Sequence, residues 1–337
     1  TDLYLNQKDG TFREIISDNT AHLGHTTHYS MGNEIADLNN DGLLDIISLD
    51  MLPEDLETYK TSGLEYGYPT YQQYLRNGYA PQYMQNTLHL NLGSSNFSEI
   101  GFLSGIAATE WSWGALAADF DNDGYKDIFI SNGIKGATND MDYMNFIAND
   151  DIQKRIGSGM NENDLPIVDE IPEKKVPNYF FKNNGGFTFQ NVSDSWYGKQ
   201  ATYSHGCAYA DLDNDGDLDV VVNNHEQVAS ILENTSKTGS YLKISFEGSE
   251  NNRFGIGARV IAYMGQEQVV QENYPNRGYL SSVPSQIHMG LGNMATLDSL
   301  KVVWPGGKSE VLISIQSNST IRVSFKVASS PTECISQ

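Results

Sequence analysis

Apolar and polar positions alternate over short distances along most of this chain. Three runs, Ile46-Ile47-Ser48-Leu49, Ile128-Phe129-Ile130 and Val220-Val221-Val222, are β-branched or aromatic and too short for helices, so they predict buried strands. Each run follows an acidic loop, and five residues before each loop's first aspartate stands a glycine: Gly32, Gly114 or Gly206. Ahead of the glycines come Tyr29-Ser30-Met31, Trp111-Ser112-Trp113 and Tyr203-Ser204-His205. Farther upstream a strand and a polar turn lead to Phe12, Phe97 or Phe189. The unit is therefore strand, turn, strand, glycine-marked strand, loop, strand, three times over. An all-β unit of this size cannot bury both its faces alone and must stack on copies of itself, which predicts β-propeller blades over residues 1–235. Three blades are too few to close a ring of roughly four to eight. The expectation is an incomplete ring, with further blades encoded upstream of Thr1.

Two insertions interrupt the repeat. Residues 51–86 carry Tyr59, Tyr66, Tyr68, Tyr71, Tyr74, Tyr79 and Tyr83; residues 133–178 read as helical from Met141 to Ile156, then as an acidic loop with Pro166, Pro172 and Pro177. Tyrosine pairs a rigid apolar ring with a hydroxyl, which suits carbohydrate or protein contacts, and equally suits covering blade edges. After residue 235 the pattern becomes plain alternation, as in Tyr241–Phe246 and Ala258–Tyr263, punctuated by Gly and Pro turns. Residues 236–326 thus predict a small β-sandwich, and 327–337 a tail.

Charge sharpens this division. Residues 1–235 hold 36 acidic and 12 basic side chains, whereas 236–326 hold 6 and 9. The acidity is confined to the part that bears the loops, and it argues against nucleic acid as a partner. No apolar stretch is long enough to span a membrane. Of the two cysteines, Cys207 falls in a predicted strand as a small core residue and Cys334 in the tail, so no disulfide framework is expected.

The loops carry the chemistry. Side-chain oxygens recur at positions one, three, five and nine, with a glycine at six for the turn and a backbone carbonyl available at seven. The first loop offers Asp37, Asn39, Asp41, the carbonyl of Leu43, and Asp45. The second offers Asp119, Asp121, Asp123, the carbonyl of Tyr125, and Asp127. The third offers Asp211, Asp213, Asp215, the carbonyl of Asp217, and Asp219. That donor set is all oxygen and predicts Ca²⁺, about three ions, with folding coupled to occupancy. Position twelve is Ser48, Ile130 or Val222 instead of a bidentate glutamate, so these are strand-to-strand loops and not EF-hands. Asn39 removes one charge, and the first site should be the weakest. A bare acidic turn would explain one copy but not three in register. His22, His25 and His28 match no zinc spacing, and His205 shares its slot with Met31 and Trp113, which points to packing.

The three units resemble FG-GAP (VCBS-type) repeats, the calcium-bearing blades of integrin-type propellers and many secreted bacterial proteins. That resemblance places the metal ligands on the loop positions named above. The series Asn252-Arg253-Phe254-Gly255-Ile256-Gly257-Ala258-Arg259, Arg277-Gly278-Tyr279-Leu280-Ser281-Ser282, His288-Met289-Gly290-Leu291-Gly292 and Val302-Val303-Trp304-Pro305-Gly306-Gly307 is similar to the ASPIC/UnbV domain. With inserts reading Gln82-Tyr83-Met84-Gln85-Asn86 and Asn139-Asp140-Met141-Asp142-Tyr143, the whole resembles large cell-surface proteins of the Bacteroidetes. The resemblance implies an outer-membrane-associated extracellular location, a lipoprotein in many relatives, and in some a neighbouring SusC/SusD-type importer.

Two functions follow as expectations. One is a non-catalytic, calcium-stabilised surface protein that binds a glycan or peptide ligand or a protein partner, as an accessory subunit of an uptake complex. The other is a glycosidase or lyase on a propeller scaffold, needing two convergent carboxylates; Glu65, Glu99 and Glu110 are candidates that no spacing singles out. The sequence contains no GxSxG elbow, Walker loop or HExxH. RNA binding by the last domain lacks an aromatic RNP-type motif.

Overall fold

The computed structural model describes residues 3–16, 22–63, 66–157, 159 and 165–325. The tail, with Cys334, and Glu65 lie outside the described residues. Antiparallel blade sheets form in a β-propeller arrangement, but the unit expected from the sequence straddles two of them: its first two strands pair with the strand after the preceding loop, and its glycine-marked strand and the strand after its own loop begin the next sheet. The first blade runs Asn33–Ala36, Asp45–Ser48, Thr87–Asn91, Phe97–Glu99. The second runs Ser112–Ala118, Asp127–Asn132, Tyr179–Asn183, Phe189–Asn191. The third, among the described residues, has Ser204–Ala210, Asp219–Asn224 and Ser230–Leu232. Before them, Tyr4–Asn6 pairs with Phe12–Glu14 as a two-stranded sheet.

The repeated glycines set how the blades abut. A Cβ on Gly32 would collide with the carbonyl oxygen of Trp113 in the second blade, and one on Gly114 would lie 2.7 Å from Cys207 Sγ in the third. A Cβ on Gly206 would lie 2.8 Å from Ser281 Oγ, which belongs to the sandwich domain. A loop of that domain therefore occupies the place beside the third inner strand that a further blade would fill. It does so only at the centre. Leu212 and Ile231 hold the positions of the buried Phe120 and Phe180, yet they are 51% and 67% exposed.

Apolar side chains fill the gaps between blades. Leu38, Leu88, Ile106, Phe181 and Phe189 pack between the first and second, and Phe120, Phe180, Leu218 and Val220 between the second and third. The tyrosine-rich insertion forms helices Leu56–Thr61 and Tyr68–Arg76. The second insertion is helical over Met141–Ile147 and Asp150–Ile156. The single run expected there is broken because Asn149 caps the second helix, its side chain accepting from Asp151 N at 3.0 Å.

The last domain is a sandwich. Tyr241–Glu247 lies between Gln286–Gly290 and Ser319–Ser324 in one sheet. Glu267–Glu272, Arg259–Met264, Thr296–Val303 and Ser309–Gln316 form the other. Its core includes Leu242, Val260, Ile287 and Trp304. Three of its basic side chains turn inward onto this chain's own propeller. Arg277 pairs with the buried Glu34 of the first inner strand, Arg259 donates to the carbonyl of Gly42, and Lys243 pairs with Asp211.

Candidate metal centre

The acidic loops join the first and second strands of each blade, and several of their hydrogen bonds recur at the same positions. The first aspartate's Oδ2 accepts from the glycine N–H at position six: Asp37 from Gly42 at 2.9 Å, Asp119 from Gly124 at 2.7 Å, Asp211 from Gly216 at 3.0 Å. Those glycines have φ of +87°, +98° and +101°, where a Cβ would be strained. The fifth-position carboxylate accepts from the seventh residue: Asp41 from Leu43 N, Asp123 from Tyr125 N, Asp215 from Asp217 N. Each carboxylate is thus aimed by the backbone before any cation binds.

Position nine does double duty. Asp45 accepts from Leu38 N and Asn91 N, Asp127 from Phe120 N and Asn183 N, Asp219 from Leu212 N and Asn234 N. These aspartates clip each loop to the third strand of its blade. Each oxygen has a second lone pair, so the clip leaves capacity for a metal.

Sequence reasoning missed the asparagines that complete the set. Asn40, Asn122 and Asn214 at position four are left-handed, with φ of +59°, +58° and +65°. Asn40 Nδ2 donates to the carbonyl of Gly124 at 2.9 Å, and Asn122 Nδ2 to that of Gly216 at 3.1 Å. Asn183 reaches back to Leu38 O at 2.8 Å, and Asn234 to Phe120 O at 2.6 Å. Adjacent loops are therefore linked head to tail. The recurring Asn-Asp-Gly and the strand-end asparagines were visible as repeats, but not that they bridge neighbours.

The second and third loops bring ligand atoms together. One oxygen each from Asp119, Asp121 and Asp127 lies within 4.8 Å of the others, as does one each from Asp211, Asp213 and Asp215. Asp121 Oδ1, Asp211 Oδ1 and Asp217 Oδ1 are buried without a hydrogen-bond partner. Buried carboxylate oxygens left unsatisfied in an all-oxygen cluster are what a hard cation would complete. In the first loop the Asn39 amide donates to Asp41 at 3.0 Å.

Electrostatics points the same way. Burial, then Asp123, pushes Asp119 up to about 7. Burial raises Asp45 to about 6 and holds Asp127 well above the usual carboxylate range. Asp217 rises to about 7 through burial and then its neighbour Asp215. A divalent cation would reverse these shifts by rewarding the ionised forms. Lysines supply part of that compensation. Lys182 Nζ pairs with Asp121 and lies 2.8 Å from Asp123 Oδ2, and buried Lys126 donates to Asp37 O at 3.0 Å and Val270 O at 2.8 Å.

The other candidate side chains are engaged elsewhere. His22 Nδ1 meets Ser95 O at 2.9 Å, His25 meets Gln85 and Glu99, and His28 stacks on Tyr29. His205 packs against Trp113 with ring centroids 4.7 Å apart, and Cys207 is buried. Glu110 pairs with Lys174 at 2.6 Å, and Glu99 accepts from Gly101 N at 2.7 Å. No helix among the described residues is long and apolar enough to cross a membrane.

No curated protein matches this chain. Two family models do. The model of an FG-GAP-like repeat matches residues 1–48 and 170–222, and that of ASPIC and UnbV matches residues 248–330. The loop at Asp119–Asp127 lies outside both spans, yet the bonds from its sixth and seventh N–H groups repeat those of the other two. The chain therefore carries FG-GAP-like repeats in a propeller arrangement, followed by an ASPIC and UnbV domain.

Proposed function

We propose that this chain is a non-catalytic, calcium-binding part of an extracellular surface protein that binds a glycan or peptide ligand or a protein partner. The observation that carries this reading is the convergence of buried, partly unsatisfied aspartate oxygens in loops of one repeated geometry. Calcium neutralises the second and third loops, and the shared hydrogen bonds pass that order from blade to blade. Loop sites built from oxygen donors of this kind suit the millimolar calcium outside the cell. Tyr66, Tyr68, Tyr79 and Tyr83, all substantially exposed on the first insertion, supply a contact surface for the ligand. The protein serves as an accessory subunit of an outer-membrane uptake complex of the SusC/SusD kind, held at the cell surface by a lipid anchor. The glycosidase or lyase alternative has less support, because Glu99 is held by the Gly101 N–H and Glu110 is paired with Lys174.

The test is thermal unfolding with calcium and with a chelator, for the parent and for Asp121→Ala and Asp213→Ala. A calcium-dependent rise in Tm, reduced in each variant, is expected. Coincident melting curves, with no metal by elemental analysis, would remove calcium from the account. Release of reducing ends from a polysaccharide panel would instead favour the enzyme.

A further inference from the structure

Among the described residues the third blade is one strand short, and the shortfall leaves a shaped vacancy. In the second blade, the fourth strand Phe189–Asn191 pairs with Tyr179–Asn183 in the register Asn183↔Phe189, Lys182↔Gln190, Phe181↔Asn191. It places the Phe189 ring, 9% exposed, in the gap toward the first blade beside Leu38, Leu88 and Phe181. Ile106, fully buried, fills the remainder of that gap.

Both fillers are missing one gap further on. Among the described residues no strand pairs with the outer edge of Ser230–Leu232. Ile106 and Gly198 stand equally far beyond Phe97 and Phe189, and their N–H groups close matching turns, to Gly101 O at 3.2 Å and Ser193 O at 3.1 Å. The second of these positions has no side chain. A cavity of about 370 Å³ lies between the second and third blades, floored by Phe120, Phe180, Leu218, Val220 and Leu232. It opens past Trp196, and the buried hydroxyl of Ser236 on its wall has no partner.

We propose that this edge receives an extended segment of a partner protein, which adds the fourth strand to the third blade and seats an aromatic side chain in the cavity. The chain's own blades define the occupant, since Phe97-Ser98-Glu99 and Phe189-Gln190-Asn191 each place phenylalanine opposite the asparagine that ends the third strand. Backbone hydrogen bonds along the edge give affinity, and the aromatic pocket fixes register. Charge narrows the choice. Glu233 stands where the second blade has Lys182, within a region of 36 acidic and 12 basic residues, so the facing residue of the partner strand is lysine or arginine. The cavity borders the second loop, with Asp121 and Lys182 on its wall, but the strand edge and the tyrosine-rich insertion are distinct, and the contact does not require the calcium reading.

The probe is a labelled synthetic peptide copying residues 186–193 with Gln190→Lys, titrated with the whole protein and followed by fluorescence anisotropy. Saturable binding is expected, about tenfold weaker when the peptide carries Phe189→Ala, and weaker again with Gln190→Glu. Leu232→Trp in the protein should fill the cavity and lower affinity by about tenfold or more while the circular dichroism is unchanged. Hydrogen exchange gives a second readout on the unmutated protein: the peptide should slow the amides of residues 230–234. No saturable binding, equal binding of the Phe189→Ala peptide, or protection elsewhere would overturn the proposal. So would displacement of the peptide by a monosaccharide, which would make the cavity a small-molecule site.

Discussion

The ninth loop position shows how one residue type serves structure and chemistry together. Asp127 accepts backbone N–H groups from Phe120 and Asn183, and losing its carboxylate leaves both donors buried and unpaired. Asp127→Ala should cost about 2–4 kcal/mol even in chelator, whereas Asp213→Ala, at an exposed position, should cost under about 1 kcal/mol there. Urea unfolding of both variants in chelator checks this. A second residue, His288, sits where the sandwich meets the second loop, with Nε2 at 2.8 Å from Asn122 Oδ1. Burial, then Lys243, lowers its pKa from 6.5 to about 4. The folded protein therefore binds fewer protons than the unfolded chain between about pH 4 and 6.5, and His288 lowers stability as pH falls through that window. The effect is on the order of 3 kcal/mol. The raised loop aspartates have the opposite sign, so the measurable quantity is the difference between parent and His288→Gln across that range, which should shrink the acid-side loss.

At the scale of elements, the inner strands depend on the absence of three side chains. Gly32→Ala would drive its methyl into the Trp113 carbonyl oxygen, a backbone atom with no room to retreat. Gly206→Ala would meet the Ser281 hydroxyl at 2.8 Å, and a side chain can rotate away. Gly32→Ala is expected to destabilise by about 3 kcal/mol or more and Gly206→Ala by about 1 kcal/mol, measured by chemical unfolding. The ranking decides the matter: equal losses would mean that close approach to a neighbouring backbone atom does not set the cost, since none of the three glycines has a positive φ.

Over the whole molecule, the propeller and the sandwich meet through opposite charges out of water. Arg277, 9% exposed, reaches Glu34, 3% exposed, on the first inner strand, and burial raises Glu34 to about 7 against the pull of the guanidinium. Removing one partner strands the other. Arg277→Met should cost about 3–5 kcal/mol, and the double change with Glu34→Gln should recover much of it. Limited proteolysis across residues 235–240 reads the same contact: the single variant should be cut faster than the parent, and the double variant at an intermediate rate.

The loops, the strands that flank them, the glycine five residues ahead and the change of pattern near residue 235 were legible in the sequence, because each follows from local rules. Period-two burial, left-handed turn positions and oxygen donors at fixed offsets are properties of a few consecutive residues. The sequence also marked Gly32, Gly114 and Gly206 without giving their reason, which lies in the neighbouring strand. Only the tertiary structure decided what stands opposite. It showed that Asn40 and Asn122 tie one loop to the next, and that Lys182 and Lys243 sit on loop carboxylates from outside their own loops. It turned Arg259 and Arg277 inward and, among the described residues, left the third blade without a fourth strand. Those pairings join residues dozens to hundreds of positions apart, and no local periodicity encodes a partner whose place is set by the stacking of whole blades.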